Sequence, residues 1–316
     1  MKDMKINQNI SKSKVTKIGI NEPDLEQLSK LKIISWNIQS SNDTEGNKFK
    51  RKEFVNILNQ GDILCLQEVR QANKIPGFRS KHNLRDGTNS GGVSINYRNS
   101  LDKGIEEIKN YKMDDLIICK LRKNFFNLEK DIFIVNAYVT PHNSLAKVKR
   151  DGKEMLLEIS EIVNELKAKG GLILCGDFNA RISDNPGLII HDDDNNHLQL
   201  PDDYVPDELT PRNSQDQFKN AFCTNFLSLV KNNGLRILNG RTLGDLSGAY
   251  TCIKPRGCSV VDYFATTSEV TENVIFLEVL PFTHFSDHCP VQLTMKTNKF
   301  SIADNQPLDK LYDGAP

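Results

Sequence analysis

Residues 171–181 read GLILCGDFNAR, a short apolar run followed by a glycine and then by alternating polar side chains. Such a run is typical of a strand buried on both faces. Because side chains alternate along a strand, Asp177 and Asn179 are expected on one side and Phe178 on the other, in the core. A carboxylate beside a carboxamide at a strand end can hold a water molecule and a phosphate oxygen. The tetrapeptide GDFN alone is equally consistent with a turn, since Asp, Asn and Gly dominate turns.

The composition is that of an ordinary globular protein, with 38% hydrophobic and 26% charged residues among 316. Lys and Arg number 41 and so do Asp and Glu, so that any attraction to DNA must come from a local basic surface. The seven cysteines include no Cys-x-x-Cys pair, which predicts reduced, buried thiols. The N-terminus lacks the apolar segment of a signal peptide, and no run approaches the roughly 20 apolar residues of a membrane helix. We therefore expect an intracellular protein that is not secreted and has no membrane partner.

One large domain is expected over residues 31–297, between a flexible polar N-terminal arm (1–30) and a polar C-terminal tail (298–316). Apolar periodicity predicts strands followed by polar segments, and amphipathic helices between them. The expected strands are 31–40, 62–69, 91–97, 116–123, 131–139, 172–175, 235–239, 278–281 and 289–295, and the expected helices are 48–59, 145–169 and 219–232. A hairpin is expected from 249–253 and 259–265, and an acidic loop over 183–217.

Polar residues recur where the apolar strands end. They are Asn37, Glu68, Tyr138, Asp177, Asn179, Asp262, Asp287 and His288. Most of them individually fit a surface, a turn or a capped core position. Asp262 lies within VVDYF, and a carboxylate in so apolar a strand requires a partner, for which a histidine is the obvious candidate.

Six blocks, WNIQ, LCLQEV, AYVTP, GDFNAR, SVVDYF and SDHCPV, occur in this order. This set resembles the endonuclease/exonuclease/phosphatase superfamily, which includes deoxyribonuclease I, exonuclease III-type abasic-site endonucleases and inositol phosphatases. The resemblance extends over about residues 31–296. Residues 212–263 also resemble the endonuclease domain of non-LTR retrotransposons, so the chain is expected to be a piece of such an element's protein or a free-standing derivative. The resemblance implies an α/β fold, a four-layer sandwich of two mostly antiparallel sheets packed face to face and flanked by helices.

The resemblance also implies a metal site. Glu68 would bind a divalent cation, with Asn37 and Asp287 close by. Oxygen ligands of this kind suit Mg²⁺, or Mn²⁺ in its place. Gln39 is a departure, since it stands where abasic-site endonucleases often have Asp or Asn. That difference makes the contribution of the first strand to the metal site an open question.

Catalytic roles follow from the same resemblance. Asp177 would orient or deprotonate the attacking water, while Asn179 and Tyr138 would donate hydrogen bonds to the phosphate. His288, held by Asp262, would do the same or assist proton movement. This chemistry is metal-assisted hydrolysis of a phosphodiester.

The expected hairpin has Lys254 and Arg256 beside Pro255 at its turn. In the retrotransposon endonucleases that this stretch resembles, the matching hairpin reaches toward the DNA. Lys254 and Arg256 are therefore expected to contact DNA phosphates, whereas the simpler interpretation is an exposed turn.

The leading functional hypothesis is a Mg²⁺-dependent DNA endonuclease of the retrotransposon type that nicks one strand and acts as a monomer, in the nucleus rather than the cytoplasm. The nearest alternative is an abasic-site repair nuclease. A phosphoinositide or sphingolipid phosphodiesterase does not account for the retrotransposon-like stretch. A nucleic-acid-binding or scaffold protein that kept the fold and lost catalysis is the alternative outside enzymes, and the complete set of acids, amides and histidine favours an enzyme over it.

Overall fold

The computed structural model of the protein describes residues 29–85, 90–141, 152–187 and 211–297. The expected N-terminal arm, apart from its last two residues, and the expected C-terminal tail lie outside these ranges. So do most of the acidic loop and the start of the helix expected at 145–169.

Sixteen strands occur in the described ranges, most of them within the apolar runs of the sequence. They are β1 (Ser29–Asn37), β2 (Asn42–Asp43), β3 (Gly46–Asn47), β4 (Ile63–Gln67), β5 (Phe78–Asn83), β6 (Val93–Arg98), β7 (Ile105–Ile108), β8 (Leu116–Leu121), β9 (Ile132–Tyr138), β10 (Gly171–Asp177), β11 (Arg236–Ile237), β12 (Cys252–Lys254), β13 (Gly257–Ser259), β14 (Asp262–Thr266), β15 (Val274–Val279) and β16 (Val291–Thr297).

Two six-stranded sheets contain most of these strands. Their orders are β15-β16-β1-β4-β6-β5 and β11-β14-β10-β9-β8-β7. Within each sheet one central pair is parallel, β1 with β4 and β9 with β10, and the other pairs are antiparallel. The expected mostly antiparallel arrangement is therefore confirmed.

The three longest helices cover the outer faces of the two sheets. The α-helices are α1 (Lys52–Leu58), α2 (Lys123–Phe126), α3 (Gly152–Lys167), α4 (Cys223–Asn232) and α5 (Ser268–Thr271), and 3-10 turns occupy Lys48–Lys50 and Asn99–Gly104. Helix α1 packs on the first sheet, and α3 and α4 pack on the second. A third apolar core joins the facing surfaces of the two sheets. The molecule is thus the expected four-layer α/β sandwich.

Strand β10 shows how the sequence produces this arrangement. Its side chains alternate, so that Ile173 and Cys175 face the other sheet while Leu172 and Leu174 face the helices. All four are fully buried, as expected for a strand with a sheet on one side and helices on the other.

The hairpin expected from 249–253 and 259–265 was wrong in its extent. The hairpin contains only β12 and β13, and its turn is formed by residues 255 and 256. Strand β14 instead pairs with β10 and β11 in the second sheet. Val260 and Val261 are buried where the chain leaves the hairpin for the sheet, which explains why the apolar run continues without a turn signal.

None of the helices in the described ranges has the length and apolar composition needed to cross a membrane.

Candidate active site

The polar residues at the strand ends meet along one edge of the sandwich. Asn37 ends β1, whereas Tyr138 and Asp177 end the parallel neighbours β9 and β10 in register with each other. Asp262 begins β14 and lies opposite Asp177 in the antiparallel pair. Parallel strands end at a common edge, so these positions follow directly from the strand pairing.

The side-chain amide of Asn37 joins the two sheets at the candidate site. Asn37 Nδ2 donates to Glu68 Oε1 at 3.0 Å within its own sheet and to Asp177 Oδ2 at 2.8 Å in the other sheet. Glu68 directly follows β4 with a φ of 52°, a backbone region that non-glycine residues rarely adopt. Its second carboxylate oxygen lies 3.3 Å from a guanidinium nitrogen of Arg70. Two carboxylates therefore converge on one fully buried amide.

Asp177 and Asn179 lie on the same side of the chain, as expected, with Phe178 fully buried between them. The Asn179 backbone N–H donates to Asp177 Oδ1 at 2.9 Å, and Asn179 Nδ2 donates to the carbonyl oxygen of Val139 at 2.8 Å. Burial and the neighbouring charge of Asp262 together raise the pKa of Asp177 to about 7. A carboxyl group with such a pKa can exchange a proton near neutral pH.

His288 is held by the carboxylate that the sequence assigned to it. Its Nδ1 lies 3.0 and 2.9 Å from the two carboxylate oxygens of Asp262, and both side chains are buried. Its Nε2 lies 3.8 Å from Asp177 Oδ2. Burial alone would lower the pKa of His288, but the negative charges of Asp262 and Asp177 outweigh it and raise the pKa well above its usual value. The two neighbouring carboxylates therefore favour the protonated form of His288, whose Nε2 faces Asp177.

The loop that carries His288 is held against β1 by three hydrogen bonds. Ser286 Oγ donates to the carbonyl oxygen of Asn37 at 2.7 Å, and Trp36 Nε1 donates to the carbonyl oxygen of His288 at 2.8 Å. Gln39 Oε1 accepts from the backbone N–H of Asp287 at 3.1 Å. Gln39, the departure noted in the sequence, thus positions the backbone beside Asp287.

Tyr138 lies at the other end of the group. Burial, together with the nearby negative charges of Glu68 and Asp177, raises the pKa of Tyr138 above its usual value. The guanidinium of Arg85 lies 5.7 Å from the centre of its ring. Arg85 also donates to Thr140 Oγ1 at 2.7 Å and through Nε to Asp115 Oδ2 at 2.5 Å. The ring of Tyr138 therefore lies next to the buried ion pair of Arg85 and Asp115.

The donor set fits a hard divalent cation. Glu68 and Asp177 provide carboxylates beside Asn37, and Asp287 Oδ1 is a buried acceptor to which no described residue donates a hydrogen bond. Mg²⁺ and Mn²⁺ prefer such oxygen ligands. One ligand atom each of Asp177, Asp262 and His288 also lies within 4.8 Å of the other two. Asn37 and Glu68 are in direct contact, whereas Asp287 contacts His288, 3.7 Å from Nε2, and a lysine.

The comparison with known proteins agrees with this geometry. The family model described as the Endonuclease/Exonuclease/phosphatase family matches residues 34–288, which include every polar strand-end residue named above. The chain belongs to this family. Members of the endonuclease/exonuclease/phosphatase family are hydrolases of phosphodiesters or phosphate esters, and its nucleases are typically dependent on divalent metals.

Solved structures from the family share the fold at low sequence identity. AP endonuclease LMAP from Leishmania major has a TM-score of 0.62 and 16% identity, with 84% of this chain and 88% of that chain covered. The APE2 catalytic domain from Xenopus laevis has a TM-score of 0.57 and 17% identity, covering 86% and 94%. The endonuclease domain of TRAS1, a telomere-specific non-LTR retrotransposon, has a TM-score of 0.55 and 15% identity, covering 86% and 100%. No curated protein matches the chain in sequence.

The two residues expected to contact DNA differ in their surroundings. Lys254 is in β12, and its Nζ lies 3.2 Å from Asp287 Oδ2. Burial alone would lower the pKa of Lys254, but negative neighbours including Asp287 outweigh it and raise the pKa. Arg256 is exposed at the turn. Lys254 therefore forms an ion pair with a candidate metal-binding residue, whereas Arg256 is exposed at the turn beside it.

Sequence reasoning missed two groups around the site. The first group is the ion pair of Arg85 and Asp115, which lies against Tyr138. The second is the buried Lys48, whose ammonium donates to the carbonyl oxygens of Ile38 and Phe285. A charged residue in a polar segment carries no local signal that it is buried.

Proposed function

We propose that the protein is a Mg²⁺-dependent phosphodiesterase that nicks one strand of DNA. The observation that carries this proposal is the buried Asp177, whose pKa of about 7 and whose contacts with Asn37 and His288 suit proton transfer beside a phosphate. A diester anion repels anionic nucleophiles, so its hydrolysis requires positive charge, hydrogen-bond donors and a base in one place. All three are present within the group.

Asp177 accepts a proton from the attacking water, because its pKa lies near the working pH. His288, which is protonated and held through Nδ1 by Asp262, donates from Nε2 to a phosphate oxygen as negative charge develops there. Asn179 and Tyr138 provide further donors at the same edge. Each of these groups is preorganised by hydrogen bonds to buried neighbours, which reduces the reorganisation that the reaction requires.

Glu68, Asn37 and Asp287 would hold the cation, Mg²⁺ or Mn²⁺. When bound, the metal neutralises phosphate charge and orients the diester for displacement. Lys254 balances part of the negative charge of Asp287, since the two side chains form an ion pair.

DNA is the proposed substrate because the similar structures are an AP endonuclease, the catalytic domain of APE2 and a retrotransposon endonuclease domain. The retrotransposon-type activity is favoured by the sequence stretch 212–263, whose equivalent would present the hairpin β12–β13 to the DNA. Abasic-site cleavage is the second candidate, favoured by the likeness to LMAP. The nuclear location, the monomeric state and the domain limits at residues 31 and 297 stay predictions from the sequence.

A nicking assay on supercoiled plasmid tests the proposal. Wild-type protein should convert the plasmid to the open-circular form in Mg²⁺ and not in EDTA, and Glu68→Gln should require much more Mg²⁺ while unfolding at a similar temperature. A parallel duplex with one abasic site separates the two candidates, because only an abasic-site nuclease would cut it far faster than intact DNA. If the folded protein binds DNA but cuts neither substrate, the proposal is wrong and the protein is a non-catalytic DNA-binding or scaffold protein.

The hairpin separates binding from chemistry. Arg256→Ala removes an exposed charge, so it should weaken duplex binding and reduce the salt slope by about one without changing hydrolysis of a small phosphodiester. Lys254→Ala should alter both, since Lys254 also pairs with Asp287. Identical affinities and salt slopes for Arg256→Ala and wild type would show that the turn does not contact DNA.

A further inference from the structure

Phe218 is an aromatic side chain directed into solvent near the candidate active site. It is 68% exposed, the highest value among the large hydrophobic residues that the structure describes. A single exposed hydrophobic residue is ordinary on a protein surface. Phe218 differs because a half-buried arginine lies over its ring and a buried carboxylate holds its backbone.

The guanidinium of Arg181 lies 4.9 Å from the centre of the Phe218 ring. Arg181 makes two hydrogen bonds to the buried carboxylate of Asp216, from Nε at 2.8 Å and from Nη2 at 2.6 Å. Asp216 also accepts from the backbone N–H of Phe218 at 3.1 Å. Burial alone would raise the pKa of Asp216, but the bonds from Arg181 and the backbone lower it, so the carboxylate stays charged. We call Phe218, Arg181 and Asp216 the Phe218 platform.

The platform lies between Asn179 and the hairpin. Arg181 follows Asn179 by two residues, which limits the separation of their Cα atoms to about 7 Å. Asn220 Nδ2 donates to the carbonyl oxygen of Asn179 at 2.6 Å, and Asn220 Oδ1 accepts from the backbone of Arg181 at 3.1 Å. Asp216 also accepts from the backbone N–H of Val260 at 3.1 Å, just after the hairpin. The platform is therefore attached directly to the segment that carries Asn179 and to the end of the hairpin.

The surroundings of the Phe218 ring indicate which kind of ligand it would bind. A cation occupies one side of the ring, and the high exposure leaves apolar aromatic surface open to solvent. An aromatic surface of this kind stacks with flat, polarisable rings, and every nucleobase has such a face. A base inside a duplex is already stacked on both sides, so the ligand must be unpaired or displaced from the helix.

We infer that Phe218 stacks on an unpaired nucleobase next to the phosphate that is cleaved. This inference rests on the proposed nuclease function and adds to it a preference for DNA with an unstacked nucleotide beside the cut. Arg181 contributes positive charge near the same nucleotide, although Asp216 balances most of it. The base is recognised by its aromatic face, so the platform does not discriminate among the four bases by hydrogen bonds.

The test uses 2-aminopurine, whose fluorescence falls when it stacks. Wild-type protein in EDTA should bind a duplex containing one unpaired 2-aminopurine and quench its emission. Phe218→Ala and Phe218→Leu should both lose the quenching and bind about 5- to 150-fold more weakly, whereas Phe218→Trp should keep both. The Leu variant decides the matter, since it retains apolar area and lacks a ring.

Phe276→Ala is the matched control, because Phe276 is a partly exposed phenylalanine on the edge strand β15. It should quench and bind as wild type does. Wild-type quenching and affinity in Phe218→Leu would overturn the inference. Binding in EDTA is measured without cleavage, so the two proposals can fail separately. If the protein nicks DNA but quenching and binding do not depend on Phe218, only the stacking inference is wrong. If quenching depends on Phe218 but the protein does not nick DNA in Mg²⁺, only the proposed nuclease function is wrong.

Discussion

Lys48 offers the sharpest test of how the catalytic loops are held. Its side chain is buried, with the residue only 2% exposed, and its Nζ donates to the carbonyl oxygens of Ile38 at 2.7 Å and Phe285 at 2.5 Å. Ile38 directly follows Asn37, and Phe285 precedes Asp287 by two residues. One ammonium group therefore joins the segments next to Asn37 and Asp287, two of the three expected metal-binding residues.

Replacing Lys48 by Met keeps most of the apolar stem and removes the ammonium. Two hydrogen bonds from a charged donor are worth about 3–6 kcal/mol together. Burial lowers the pKa of Lys48 from 10.5 to about 8, so the charged form costs about 3 kcal/mol, which the variant recovers. The free energy of unfolding at pH 7 should therefore fall by only about 0–3 kcal/mol. Activity should fall on the order of 100-fold, because displacement of a catalytic group by about 1 Å is that costly.

The pH dependence has a definite sign. Between pH 8 and 10.5 the unfolded chain binds the Lys48 proton and the native protein does not, so this contribution to stability rises with pH. The difference in free energy of unfolding between wild type and Lys48→Met should grow by up to about 3 kcal/mol over that window. Urea unfolding at four pH values from 7 to 10 measures it, and Lys50→Met, an exposed neighbour, is the control. A difference that stays constant with pH, or a fully active Lys48→Met protein, would refute the reasoning.

Three further predictions concern the supporting structure. Asp262→Ala and His288→Ala should each reduce turnover about 10²- to 10⁴-fold. Because the two side chains act as a unit, the double variant should be little less active than the less active single variant. Additive losses of activation free energy would contradict this. Gly176→Ala should lower the free energy of unfolding, measured in urea, by about 3 kcal/mol or more, because a Cβ at this residue, which has a φ of 138°, would lie 1.9 Å from a carbonyl oxygen. Gly257→Ala is the control: its φ is 137° but the space around it is open, so it should cost only the backbone strain of about 1–3 kcal/mol. Asp115→Asn should lower the free energy of unfolding by about 3–5 kcal/mol, since it leaves a buried arginine unpaired; a loss under about 1 kcal/mol in urea would show that the pair is dispensable.

The family match and the similar structures support different conclusions about this protein. The family match covers the chain from β1 to His288 and establishes the class of chemistry. At 15–17% identity, the similar structures establish the fold alone. The substrate within that class depends on the surface around the shared site, where Phe218 and the hairpin lie.

Most of what the sequence alone determined concerns the buried strands and the residues at their ends. The run 172–175 predicted a strand with both faces buried because alternation is a local property that needs no partner. Asp262 predicted its histidine because an unpaired carboxylate in an apolar strand is too costly to persist. The ordered motifs then indicated the fold and the polar strand-end residues together.

Tertiary structure decided everything that depends on contacts between distant segments. The edge strands β5 and β7 read FRSKHN and IEEI, whose polar residues show no burial pattern because each strand has only one neighbour. Lys48 contacts a carbonyl 237 positions away, and nothing in its local sequence distinguishes it from the exposed Lys50. Phe218 likewise reads as a core residue until the fold shows its ring in solvent. A charged or aromatic residue acquires its role from the neighbours that folding brings to it, and local sequence does not specify those neighbours.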